Sequence, residues 1–177
     1  MYAKRTVFAS YAHDSTTHKE HVLTLAKLLI ASGVAVTLDQ FAKRRQDWSS
    51  WATKEMTSAD YILVVASPEY RRAGDGHGPP ALNRGVQYET AVLRDLLHGD
   101  RETWLPRLLP VVLPGHEISE IPLFLQPHTA DHYLIDELTT YGIRELLEVI
   151  NEDVTIPSPR AETQQWTVHV HVRITFD

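Results

Sequence analysis

Tyr61-Ile62-Leu63-Val64-Val65-Ala66 is the stretch that decides the fold. A strand with one wet face alternates apolar and polar residues, and this one does not. Its unbroken run calls for burial on both faces, as in the centre of a parallel sheet. The flanking segments supply the rest of such a sheet. Thr6 to Ser10 and Val34 to Leu38 read as strands, as do Leu108 to Leu113 and Tyr133 to Ile135. Helices are expected between them. Thr17-His18-Lys19-Glu20 resembles a capping box in front of a face made by Val22, Leu25, Ala26 and Leu29, and Gly33 stands where a left-handed cap would end it. Further helices are expected from about Ser49 to Ser58, around Glu89, and across Ile143, Leu146, Leu147 and Ile150. Arg71 to Gly85, rich in Gly and Pro, reads as a loop. Regular strand–helix alternation predicts an α/β fold, a flavodoxin-like parallel sheet of order 2-1-3-4-5 with helices on both faces.

The chain has 177 residues, 43% of them apolar, enough for one full core and too few for two ordinary domains. Residues 1–152 are assigned to the domain and 153–177 to a linker and extension. In the latter, Pro157-Ser158-Pro159 precedes Trp166, Val168, Val170, Val172, Ile174 and Phe176, which alternate with polar residues as in an additional, half-buried C-terminal strand. That strand is expected to dock on a sheet edge or on another chain. A net charge of -6 argues against nucleic-acid binding, and Lys43-Arg44-Arg45 is the one small basic cluster. With no cysteine there is neither a disulfide nor a thiolate zinc site. No apolar run approaches the roughly 20 residues of a membrane span, and no secretory leader is evident, so a cytoplasmic protein without a membrane partner is expected.

In open α/β sheets, ligands bind beyond the carboxyl ends of the strands. Ser10, Tyr11 and His13 follow the first strand, Asp39 ends the second, and Ser67 and Tyr70 follow the third. Glu89 joins the same rim. It lies three residues after Val86 and four before Leu93, on the buried stripe of its helix that continues through Leu96 and Leu97. A carboxylate there needs a partner, a raised pKa or an opening to a ligand. The plainer alternative is an acid in the first helical turn facing the positive end of the helix dipole.

Other motifs carry little. Gly74 to Gly78 has glycine density without the spacing of a dinucleotide or Walker loop. His18 and His21 share a helix face but lack a third ligand at fixed spacing, so no metal site is expected. No Gly-x-Ser-x-Gly elbow occurs.

Val7-Phe8-Ala9-Ser10-Tyr11-Ala12-His13-Asp14 resembles the opening box of the TIR and SEFIR superfamily. Gly33 to Gln40, Trp48 to Trp51, Ser58-Ala59-Asp60-Tyr61, Val64 to Tyr70 and Gly85-Val86-Gln87-Tyr88-Glu89 follow in the order of that superfamily, so the resemblance spans roughly Thr6 to Ile150. The Trp-Cys pair of TIR domains is absent before Glu89, and the long Arg71 to Gly85 loop also fits SEFIR better. The resemblance implies two functions. One is cleavage of NAD+, as substrate and with no cofactor, at the nicotinamide–ribose bond in an immune or antiviral defence system. Glu89 matches the essential Glu of such enzymes, with Ser10, Tyr11, Asp39, Trp48, Ser67 and Tyr70 as candidate substrate-binding residues. The other is a non-catalytic adaptor that signals by homotypic assembly. For the enzymes it also implies that self-association brings the loop from Phe41 to Asp47 to a neighbour's site. Trp51 is expected in the core.

Overall fold

The computed structural model of the protein describes residues 4–42 and 47–152. The Lys43-Arg44-Arg45 cluster and the extension with its expected C-terminal strand lie outside the described residues. Five strands, β1 (Thr6–Ser10), β2 (Ala35–Thr37), β3 (Tyr61–Val65), β4 (Leu108–Val112) and β5 (Tyr133–Leu134), form one sheet in the order β2-β1-β3-β4-β5. Every pairing is parallel, with Phe8 opposite both Thr37 and Ile62, and Val64 opposite Pro110. The flavodoxin-like order expected from the sequence is the one observed.

All five residues of β3 are buried, as its lack of alternation requires. Each such aliphatic side chain contributes about 2 kcal/mol by leaving water, which makes this strand the keel of the domain. Pro110 sits inside β4 although proline cannot donate to a ladder. Val111 O accepts from Ala66 N on the β3 side and Val112 O accepts from Ile135 N on the β5 side, so residue 110 faces β5. β5 pairs only from Val111 onward, and no donor is missed.

Helices α1 (Thr16–Ala31) and α6 (Arg144–Asn151) cover one face, where Val22, Leu25 and Leu29 meet Val7, Leu63, Leu146 and Ile150. Helices α2 (Trp48–Ser58), α3 (Pro68–Gly74) and α4 (Arg84–Gly99) cover the other, around Phe8, Met56, Ile62, Tyr70 and Leu93. A short helix α5 (Arg101–Trp104) leads into β4. Gly33, at φ +94°, completes a Schellman end for α1: its N–H bonds Ile30 O and that of Val34 bonds Leu29 O.

Three expectations need correction. Helix α1 is capped by Ser15, whose hydroxyl accepts from His18 N–H, and not by Thr17. The Gly- and Pro-rich stretch read as loop contains the second half of α3, which starts at the Ser67 cap with Pro68 in its first turn. Helix α4 begins at Arg84, so Glu89 lies in its second turn. Dipole stabilisation fades within the first turn, and the plainer account of Glu89 loses its support. On the same helix Thr90 is buried and Leu96 only half-buried.

Candidate functional site

The sheet order reverses direction between β1 and β3, and the carboxyl end of β1 is the topological switch point where open α/β sheets hold ligands. Successive residues there point to opposite faces of the sheet. Ser10 accordingly turns toward α4 and Tyr11 toward α1, and each enters a separate hydrogen-bonded group.

On the α4 side, Ser10 Oγ donates to Glu89 Oε2 at 2.5 Å and lies 2.8 Å from Tyr70 Oη. Ser10 and Tyr70 are wholly buried, whereas Glu89 is half-buried. Burial raises the Glu89 pKa to about 7; the Ser10 hydrogen bond works against that rise and the negative charge of Asp39 adds to it. No Lys or Arg pairs with Glu89 among the described residues. Burial, and next the nearby Glu89 charge, push the Tyr70 hydroxyl well above the usual tyrosine range.

On the α1 side, Tyr11 Oη donates to Asp39 Oδ1 at 2.7 Å and accepts from Gln40 Nε2 at 2.8 Å. His13 Nε2 stands 2.9 Å from Asp39 Oδ2. Burial alone would raise the Asp39 pKa, but the His13 and Tyr11 hydrogen bonds outweigh it and hold Asp39 below the usual carboxylate range. Tyr11 is driven upward by burial and then by its bond to Asp39.

The structure therefore joins Ser10, Tyr70 and Glu89 in one group and Tyr11 with Asp39 in another. Ser67 is fully buried and plays a supporting part: its hydroxyl donates to Asp14 at 2.8 Å and accepts from Tyr70 N–H as the cap of α3. Asp14 also accepts from Glu69 N–H at 3.0 Å. Trp48 lies apart, 50% exposed at the start of α2, with its ring edge-on to Trp51 and no hydrogen bond to either group. Trp51 is half-buried against Phe8.

Two partners were missed from sequence. Gln40 completes the Asp39 group with His13, which the sequence had placed on the rim, and Asp14 braces α3. A third cluster also escaped notice. His18 Nδ1 meets His116 Nε2 at 2.9 Å, and His116 Nδ1 meets Glu120 Oε2 at 2.6 Å. If the Glu120 carboxylate holds the proton on His116 Nδ1, His18 must donate through Nδ1, which leaves its buried Nε2 as an acceptor without a donor. Burial, and next His116, lower the His18 pKa to about 4. Among the described residues no group of three or more His, Asp or Glu side chains is placed to hold a metal ion, and no helix is long and apolar enough to cross a membrane.

A parallel sheet of this order, covered by helices on both faces, is a frame shared by the TIR-like signalling domains. Within that class, the model of the SEFIR domain matches residues 5–143, and the chain belongs to the SEFIR family. A solved structure described as the crystal structure of a prokaryotic SEFIR domain is similar to it in fold, with a TM-score of 0.64 and 24% sequence identity over 84% of this chain and 100% of that one. No curated protein matches the sequence.

Proposed function

We propose that this SEFIR domain cleaves NAD+ at the bond between nicotinamide and ribose, with Glu89 as the catalytic residue. The observation that carries the reading is a half-buried carboxylate at the sheet's switch point, without a cationic partner among the described residues and held at one oxygen by a buried hydroxyl. Cleaving this bond needs no acid, since nicotinamide departs from a cationic ring as a neutral molecule. What it needs is stabilisation of an oxocarbenium-like ribose, and a preplaced carboxylate in a poorly solvated site supplies that. The cationic nicotinamide ring also favours the ionised form of Glu89 on binding, against a pKa of about 7 in the free protein. Asp39, kept ionised by His13 and Tyr11 and lying on the same rim, is the proposed acceptor for ribose hydroxyls.

Homotypic assembly without catalysis is the second reading. It draws on the exposed Trp48, Leu82 and Tyr88 side chains and on Phe41 beside the Asp39 turn, an apolar complement suited to contacts between copies. Under either reading the setting is an intracellular defence or signalling system in which copies associate.

Nicotinamide release from NAD+, followed chromatographically with purified protein at high concentration or with a crowding agent, separates the two. The enzyme reading expects release by the native chain and a fall to the low per cent range in Glu89→Gln with an unchanged circular dichroism spectrum. Absence of release under all these conditions leaves the adaptor, whereas full activity in the variant removes Glu89 from the chemistry.

A further inference from the structure

Ser10 and Tyr70 were expected to touch substrate, yet neither side chain reaches solvent. We propose that they are a positioning pair for Glu89, a donor chain running from Tyr70 through Ser10 to Oε2 that presents Oε1 to the ligand. This inference rests on the reading of Glu89 as the reacting group.

The direction of the chain follows from counting protons. A serine hydroxyl has one, and Ser10 gives it to Glu89 Oε2. The 2.8 Å contact between Ser10 Oγ and Tyr70 Oη then requires tyrosine to donate. Tyrosine loses its proton only far above neutral pH here, so the donor at the head of the chain is permanent. Hydrogen bonds in series polarise one another, and the second strengthens the first.

Two observations separate this pair from buried hydroxyls that merely find partners. Thr90, one residue beyond Glu89 and equally buried, satisfies its hydroxyl on the helix backbone at Val86 O and Gln87 O. Ser10 and Tyr70 use no backbone acceptor; their chain ends on the acid. The second concerns the other carboxylate oxygen. Among the described residues Glu89 Oε1 has no hydrogen-bond partner, and because the side chain is only half-buried this is the oxygen left free to meet a ligand. One oxygen is anchored and one is offered.

The pair is held by the fold from three elements. Ser10 ends β1, Glu89 projects from the second turn of α4, and Tyr70 is fixed by the start of α3, where Ser67 and Asp14 secure the first turn. A carboxylate restrained in this way keeps a single rotamer, which is what an incoming ribose carbon requires.

The test is a carbon-13 NMR titration of the Glu89 carboxyl in selectively labelled protein, assigned by its loss in Glu89→Gln, together with the pH profile of nicotinamide release. Ser10→Ala removes the donor to the charged form and is expected to raise the Glu89 midpoint on the order of one pH unit. Tyr70→Phe removes only the polarising partner and is expected to raise it by a smaller amount. Ser10→Thr keeps a hydroxyl and restores the native midpoint. The acid limb of kcat/KM moves by the same amounts. An unmoved Glu89 midpoint in both folded variants, Ser10→Ala and Tyr70→Phe, overturns the pair, and should Ser10→Ala not fold, an unmoved midpoint in Tyr70→Phe does so alone. A shifted midpoint in a protein that does not cleave NAD+ upholds the pair and sinks only the catalytic reading of Glu89.

Discussion

Glu89→Gln should do more than silence chemistry; it should tilt the dependence of stability on pH. Glu89 titrates near pH 7 in the fold against 4.5 as a free side chain. At about 1.4 kcal/mol per pH unit, ionising it in place costs about 3 kcal/mol. Because its folded pKa is raised, the associated stability is present below pH 4.5 and lost as pH climbs through about 7. His18 behaves in the opposite sense. Its folded pKa of about 4 lies below the ordinary 6.5, so its stability is present above pH 6.5 and lost, by about 3 kcal/mol, as pH falls toward 4. Between pH 4.5 and 6.5 the two slopes oppose each other, and Asp39, held below 3.8, titrates beneath that window. The native chain should therefore show an almost flat stability there. Gln retains the acceptor for Ser10 and removes one slope. The variant should lose about 3 kcal/mol from pH 6.5 to 4, and at pH 8 it should exceed the native chain by up to about 3 kcal/mol, a rise in Tm of roughly 10 °C. Urea unfolding at half-unit steps from pH 4 to 8 measures both curves. Parallel curves for the two proteins would refute the titration assigned to Glu89, and a Glu89→Gln curve flat from pH 6.5 to 4 would refute that assigned to His18.

Two structural predictions accompany it. Asp14→Ala removes both the acceptor for Ser67 Oγ and that for Glu69 N–H, and should lower the urea unfolding free energy by about 1–2 kcal/mol; an unchanged midpoint would show that α3 starts without it. Gly142→Ala would drive a Cβ into Glu137 O, a backbone atom that cannot step aside alone. A loss of roughly 1–3 kcal/mol is expected, and a variant as stable as the native chain in the same assay would show that the turn before α6 yields freely.

The architecture could be read from sequence because its signals are local. The unbroken apolar run of β3, the 3.6-residue stripe of α1 and the glycine at its end each report on a few neighbouring residues. Helix α3 was missed although Ser67, Pro68 and Glu69 are ordinary start signals, since the glycines that follow outweighed them. The site was legible as far as strand ends reveal a rim, and Ser10, Tyr11, Asp39, Tyr70 and Glu89 do meet there in two groups. Their division between two faces follows from strand alternation alone. The His18–His116 contact joins residues 98 positions apart, and no periodicity reaches that far; helical spacing pointed to His21 instead. Asp14 escaped for a related reason, because the atoms it serves belong to the start of that same missed helix.

The adjacency of Ser10 and Tyr11 carries an evolutionary consequence. Consecutive residues feed two groups that exchange no hydrogen bond and are coupled through charge, Asp39 acting on Glu89, so either group can lose a member without unmaking the other's hydrogen bonds. A substitution at position 89 strips away the acid and leaves Asp39 with Tyr11, His13 and Gln40 intact. With Glu89 as the reacting group, a domain that cleaves and one that only binds could share this scaffold, a single nucleotide change apart.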